Sequence, residues 1–369
     1  MGYDEAMDYF NLRDAAKKCM KGNRWKCSIQ SFELDMAQHV AELHKQLKNG
    51  TYKPTPTYNF TISERGKTRH IKAHNIIDRV WYKSWCEHDL KPFVDGRIMY
   101  ANSASQKGKG TDHSIQLFRE ALAKAYKKWG RDFYVVTTDY HDYFGSIPHD
   151  KVLEMIHFED KRSNETLKVY LSLFPGGKGV GIGGEPSQII SIVYPSTIDR
   201  IVACNCPTFA SGRYMDDSWF ICHTKEEANY TLSKFVEASE GLGLKVNWKR
   251  TQMHYMEKHS VIWLKKRTSI TETGEIVMKL TRKNVAYRLK TLKCYKNLSD
   301  NKRMPMKPIT ESMQCWTRYA LKYNGYKQTK RVVRYFSELF GIPDNLARSL
   351  LHRKIIGWRK EYKKEGSLV

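Results

Sequence analysis

Two adjacent carboxylates stand in Tyr214-Met215-Asp216-Asp217, between Ser211-Gly212-Arg213 and the apolar run Ser218-Trp219-Phe220-Ile221-Cys222. Like charges this close repel each other and cannot both be buried without a cation. Alone, the pair reads more readily as an exposed turn. Asp139 shifts the balance. It ends the β-rich run Phe133-Tyr134-Val135-Val136-Thr137-Thr138, and the aromatic pair Tyr143-Phe144 follows. A carboxylate at one strand end and a carboxylate pair at a separate hairpin could converge on two Mg²⁺ ions, with Mn²⁺ as a substitute. Hard cations take oxygen ligands, so Asp suits them and His or Cys does not. Such a clamp serves in-line nucleotidyl transfer: one ion sharpens a 3′-hydroxyl and the other holds the triphosphate and its leaving group.

These residues need strands and helices to carry them. Apolar spacing predicts a helix over 31–48, stopped near Gly50, and helices over 76–90, 113–129 and 225–240. Residues 58–72 read as two short strands around Ser63-Glu64-Arg65-Gly66-Lys67. Residues 132–139 read as a strand, 213–223 as strand, tight turn, strand, and 260–280 as a further strand pair. The remainder is mainly helical. Helices mixed with antiparallel hairpins predict an α+β fold.

Composition narrows the partners. The 369 residues are ample for a large core, and 41 % hydrophobic with 12 % aromatic content is that of a folded chain. A net charge of +24 calls for an anionic partner, nucleic acid first and a membrane surface second. No apolar run approaches the ~18 residues of a membrane span. The N-terminus has no basic-then-apolar leader, and Ala6 stands where a myristoylation site would have Ser or Thr. A cytoplasmic protein without membrane contact is the expectation. The eight cysteines are scattered, which argues against disulfides, and Cys204-Asn205-Cys206 is a poor zinc signature without a second cluster. From Glu275 onward there are 23 Lys and Arg against 7 Asp and Glu, interleaved with Tyr287, Tyr295, Trp316, Tyr319, Tyr323, Tyr326 and Tyr335. That is either a solvated surface over an aromatic core or a basic clamp on a duplex. The one-sided excess favours the clamp.

Asp139-Tyr140-His141-Asp142-Tyr143-Phe144-Gly145-Ser146-Ile147 and Tyr214-Met215-Asp216-Asp217 resemble motifs A and C of reverse transcriptases. Further segments resemble family elements in the right order. Arg65-Gly66-Lys67-Thr68-Arg69 with Ile77-Asp78-Arg79 is similar to the fingers hairpin. Ser105-Gln106-Lys107-Gly108-Lys109-Gly110-Thr111 is similar to a bacterial loop, Gly243 to Thr251 to motif D, and His259 to Leu264 to the primer grip. The resemblance spans about 30–340 and implies a right-hand polymerase with a small antiparallel palm sheet. Residues 1–49 would form a helical extension, 50–130 the fingers, 131–274 the palm, and 275–369 a basic helical thumb and tail. It implies RNA-directed DNA synthesis, with Asp139, Asp216, Asp217 and the Tyr140 backbone holding two Mg²⁺. Lys67, Arg69, Tyr140, Phe144, Ile182, Gln188 and Lys249 would contact the incoming dNTP, Phe144 as a gate against the ribose 2′-hydroxyl. Template RNA, the RNA/DNA duplex and dNTPs are the implied partners, with a small basic accessory protein or a second copy of the chain besides. Gly108 and Gly110 would let a template strand approach the backbone, and His113 reads as a helix-start residue.

Two segments depart from the family pattern. Ile182-Gly183-Gly184-Glu185-Pro186-Ser187-Gln188 replaces the usual Gln-Gly of motif B. This form resembles diversity-generating retroelement enzymes, which misincorporate at template adenines. Ile cannot hydrogen-bond as Gln does, so discrimination should loosen. The alternative is that Ile182 is simply a packing residue. In motif D the usual Lys before Thr is Arg250, beside Lys249. Arg is a poor proton donor, so either Lys249 assists pyrophosphate departure or that assistance is lost. A phage-defence or retron-like reverse transcriptase is the neighbouring reading, and a catalytically silent RNA-binding protein is the reading from another class. Three retained carboxylates oppose the latter, since unneeded like charges in one place only destabilise.

Overall fold

The computed structural model describes residues 2–64 and 67–343, the side chains of Glu64 and Lys67 excepted. Among these residues, nine strands lie in three sheets. β1 (Tyr58–Glu64) and β2 (Lys67–Ala73) form an antiparallel hairpin. β3 (Tyr134–Thr138), β4 (Ala210–Tyr214), β5 (Asp217–Cys222) and β6 (Gln252–Tyr255) form a sheet in the order β4-β5-β3-β6. β7 (Val261–Trp263), β8 (Lys266–Ile270) and β9 (Ile276–Leu280) form an antiparallel meander.

The chain divides into two compact units. One takes Met1–Ala121 and Phe133–Met253, and the other takes Leu122–Asp132 and the chain from His254. The meander thus groups with the C-terminal helices rather than with β3–β5, a division that the sequence boundaries at 131 and 275 do not anticipate. In the first unit β5 is one of two inner strands and is buried along Ser218–Cys222. Neighbouring strand residues face opposite sides. Phe220 accordingly meets Phe235 of helix Lys225–Gly241 (ring centroids 6.3 Å), and Trp219 meets Phe118 of helix Thr111–Trp129 (5.0 Å). Burying each such aromatic is worth about 1.5–3 kcal/mol. Helix Lys225–Gly241 begins at a capping box: the Glu227 N–H donates to the Thr224 hydroxyl and the Glu227 carboxylate accepts from the Thr224 N–H. Gly212 lies across from Trp219, whose indole would stand 2.7 Å from any Cβ there, so the ring lies on bare backbone.

Some expectations need correction. The helix expected over 31–48 is two, Cys27–Leu34 and Met36–Lys48, broken at Asp35. Helix Ile76–Trp85 passes into a π-helical turn over Cys86–Leu90. The strand pair expected at 260–280 is a three-stranded meander, because Leu264 and Lys265 both adopt positive φ (+42° and +67°) and turn the chain without a glycine.

In the second unit, helices Arg282–Asp300, Met306–Leu321 and Tyr326–Phe340 follow the meander. Its basic and aromatic residues split between two jobs. Lys266 is buried with its ammonium 5.1 and 5.0 Å from the Tyr319 and Tyr323 rings, and buried Arg288 lies by Trp316. Tyr287, Tyr319 and Tyr326 remain exposed. A groove of about 610 Å³ is lined by Lys290, Lys293, Arg331 and Arg334 over Ala286 and Leu289, with Arg334 paired to Glu338 of the same lining (2.8 Å). No described helix is long and apolar enough to cross a membrane.

Candidate active site

The register of β3 with β5 pairs Thr138 with Ser218. One step further along the same register stand Asp139 and Asp217, so both carboxylates leave the same end of adjacent strands. Asp216 occupies the two-residue turn Met215-Asp216 between β4 and β5, with Tyr214 opposite Asp217. Met215 takes φ +56°, a conformation costing a non-glycine residue about 1–2 kcal/mol. The turn is held from below. Arg213, 2 % exposed, donates to both Asp199 oxygens (2.8–3.0 Å), to the Ile192 carbonyl (2.6 Å) and to the Met215 carbonyl (3.1 Å). No motif in the sequence marks Asp199, and the one signal for Arg213 is its place just before Tyr214-Met215 and the carboxylate pair.

Asp139 is buried, and the segment Lys245–Asn247 runs antiparallel beside it. His141 N–H donates to the Lys245 carbonyl and Asn247 N–H donates to the Asp139 carbonyl, both at 2.8 Å. Antiparallel pairing alternates edges, which turns the Tyr140 carbonyl to the other edge, toward β5. The Tyr140 ring is buried in the core, stacked on Tyr143 and Phe235, with its hydroxyl 3.2 Å from the Ser239 hydroxyl. The ring is therefore withdrawn from the carboxylate end of the strands. After Asn247 the chain turns back, Arg250 N–H donating to the Asn247 carbonyl. This brings Arg250 Nη1 to 2.6 Å and Asn247 Nδ2 to 3.2 Å from Asp139 Oδ2. Asp139 Oδ1 is buried with no hydrogen-bond partner. Burial raises the Asp216 carboxyl above its ordinary range. A backbone hydrogen bond opposes this, the Asp139 charge adds to it, and Arg250 and Arg69 hold it down.

Those same influences place Arg69 within electrostatic reach of Asp216, from β2 opposite Ile62. Lys67 lies on the same strand, but its side chain falls outside the described residues, as do Arg65 and Gly66. Phe144 is half-buried, edge-on to Tyr143, and its carbonyl accepts from Val180 N–H (2.9 Å). Val180 belongs to Gly176–Gly184, a run of six glycines that sequence reasoning passed over apart from its end. The run spans from the Phe144 turn to the β1–β2 hairpin, where Ile182 carbonyl accepts from Lys72 N–H (3.0 Å). Gly183 takes φ +138°, and a Cβ there would stand 2.7 Å from the Lys72 carbonyl oxygen. Ile182 is half-buried. Gln188 is exposed, its Oε1 accepting from the Ser105 hydroxyl at 3.3 Å. Lys249 is exposed and Arg250, not Lys249, is turned to Asp139. Gly108 and Gly110 take positive φ with open space around them, and His113 lies in the first turn of its helix against Ser103 (2.8 Å).

Chemically, the carboxylates are hard oxygen donors and Asp139 Oδ1 is a buried anionic atom without a partner, which suits a divalent cation. Among the described residues, no three His, Cys, Asp or Glu side chains are gathered closely enough to hold one outright.

No curated protein matches this sequence. Among solved structures, apo telomerase from Candida tropicalis, truncated from its C-terminal domain, aligns with a TM-score of 0.47 at 12 % identity. The alignment covers 66 % of this chain and 60 % of that one. Residues 52–303 match the reverse transcriptase (RNA-dependent DNA polymerase) family. That match includes Asp139, the Tyr214–Asp217 turn and the segment carrying Arg250, and the chain belongs to the reverse transcriptase family, with its α+β right-hand polymerase fold.

Proposed function

We propose that the protein copies a template RNA into DNA, and that it does so with the loosened adenine discrimination of diversity-generating retroelement enzymes. The observation that carries the first part is the convergence of Asp139, Asp216 and Asp217 at one end of adjacent strands, with Asp216 raised by burial and by Asp139. These three carboxylates and the Tyr140 carbonyl would hold two Mg²⁺ ions, which when bound supply activation of a 3′-hydroxyl and neutralisation of the leaving phosphate.

The protein's own residues do the positioning. Arg69 meets the triphosphate from the hairpin. The half-buried Phe144 ring closes the space a ribose 2′-hydroxyl would need. The side chain of Ile182 has no polar atom, so it offers the incoming nucleotide no side-chain hydrogen bond. In the domain terms of the family, β1–β2 belong to the fingers, β3–β5 to the palm, and the basic helices from Arg282 to the thumb, whose cationic groove suits phosphate contacts. Primer extension on an RNA template with Mg²⁺ and dNTPs tests the polymerase reading. DNA product that disappears in Asp216→Ala supports it, and RNA binding with no extension refutes it. Sequencing the product tests the subtype: errors concentrated opposite adenines are expected, and uniformly faithful copying refutes it.

A further inference from the structure

The Asp139 carboxylate is already engaged. One oxygen takes the Arg250 guanidinium at 2.6 Å and Asn247 at 3.2 Å, while the other is buried and unpartnered. The two sides of this ion pair differ. The Asp139 side chain is 4 % exposed, whereas that of Arg250 is 54 % exposed. The backbone beside them is fixed independently, by Asn247 N–H on the Asp139 carbonyl and by the turn from Asn247 to Arg250. The guanidinium can therefore leave without disturbing the segment that delivers it, and the carboxylate cannot. A Lys would offer a compact point charge, but Arg offers several donors on a weakly hydrated plane.

We infer that Arg250 is a displaceable internal cation that holds the carboxylate site closed to divalent metal and is drawn away by the anionic triphosphate of an incoming nucleotide. This rests on the two-metal reading above. While the guanidinium is on Oδ2, one of the two Asp139 oxygens is occupied and its charge is offset. Only the fraction of molecules with Arg250 swung out offers the full donor set, and the apparent metal affinity is reduced by that fraction. A charge-assisted hydrogen bond of this kind lowers that fraction about tenfold.

The test titrates Mn²⁺ into the full chain without nucleotide or nucleic acid, reading the free ion by its paramagnetic resonance. The expected result is that Arg250→Ala binds Mn²⁺ about tenfold more tightly than the unchanged protein. Arg250→Gln, which keeps a polar, unbranched side chain without the charge, is expected to show a similar gain. Adding Asp139→Asn to either should cancel it. Equal affinity with and without Arg250, while Asp139→Asn still weakens binding, overturns the latch and leaves the metal site standing. Asp139→Asn without effect in any background overturns the metal reading and the latch with it. Because Arg250 lies at the surface, thermal unfolding in chelator should show all Arg250 variants folded.

Discussion

The buried Arg213–Asp199 pair gives the most quantitative prediction. Asp199→Ala removes both acceptors from a guanidinium that is 2 % exposed, leaving a buried charge with only the Ile192 and Met215 carbonyls. Breaking a buried ion pair from one side costs about 3–5 kcal/mol. For a unit of roughly 150–250 residues each kcal/mol moves the melting temperature by about 2–4 °C, so the first unit should melt roughly 6–20 °C lower. Replacing both partners with apolar groups, Arg213→Met with Asp199→Leu, should restore most of that loss, because no charge is left stranded. Activity should not return with it. The Ile192 carbonyl would keep Asn102 as a donor at 3.1 Å, but the Met215 carbonyl would lose its donor, and with it the turn that carries Asp216. Thermal melts and single-turnover primer extension on the same three proteins separate the effects. A loss under about 1 kcal/mol for Asp199→Ala, or full extension by the double variant, would refute the argument that this pair holds the carboxylate turn.

Asp216→Asn should stabilise the metal-free protein at neutral pH while abolishing extension. The folded carboxyl is raised above its ordinary 3.8, so its penalty is present above the folded value and is relieved as pH falls through it. The stability difference between variant and unchanged protein should therefore shrink toward acid, as read by urea titration at several pH values. Gly183→Ala should cost at least about 2 kcal/mol, since it combines a φ of +138° with a 2.7 Å approach to the Lys72 carbonyl, and a melt shows it. Phe144→Ala should raise ribonucleotide incorporation at least about tenfold in kcat/KM ratio. Each neutralisation among Lys290, Lys293 and Arg331 should lower the slope of log affinity for an RNA/DNA duplex against log salt by about 0.9; an unchanged slope would remove that groove from the interface.

The polymerase fold was legible because its signals are local. A strand ending on Asp139, a carboxylate pair inside an apolar hairpin and a helix over 225–240 can each be read from a few residues. What escaped is what depends on partners far apart in sequence or on turns without their usual residues. Leu264-Lys265 turns the chain through two positive φ values with no glycine to announce it. Asp199 is fourteen residues from Arg213 and carries no motif. Tyr140 sits beside Asp139 in sequence, yet strand alternation sends its ring into the core. The pairing of Arg250 with Asp139 depends on a bridge between segments more than a hundred residues apart.

The glycine run between Phe144 and the hairpin has a practical corollary. Two of its links, Val180 to Phe144 and Lys72 to Ile182, are made by main chain alone, while the His149 ring and the Ser187 hydroxyl reach the Gly179 and Val180 carbonyls. Mutagenesis that trims side chains to alanine looks for function in what is removed, and at a glycine there is nothing to remove. At Gly179 and Gly183 alanine is an addition, and its methyl group wedges apart two main chains rather than deleting a contact. Nucleotide selection that runs through this stretch would be nearly invisible to a loss-of-side-chain scan, and would show itself only when bulk is inserted or when the peptide N–H itself is taken away.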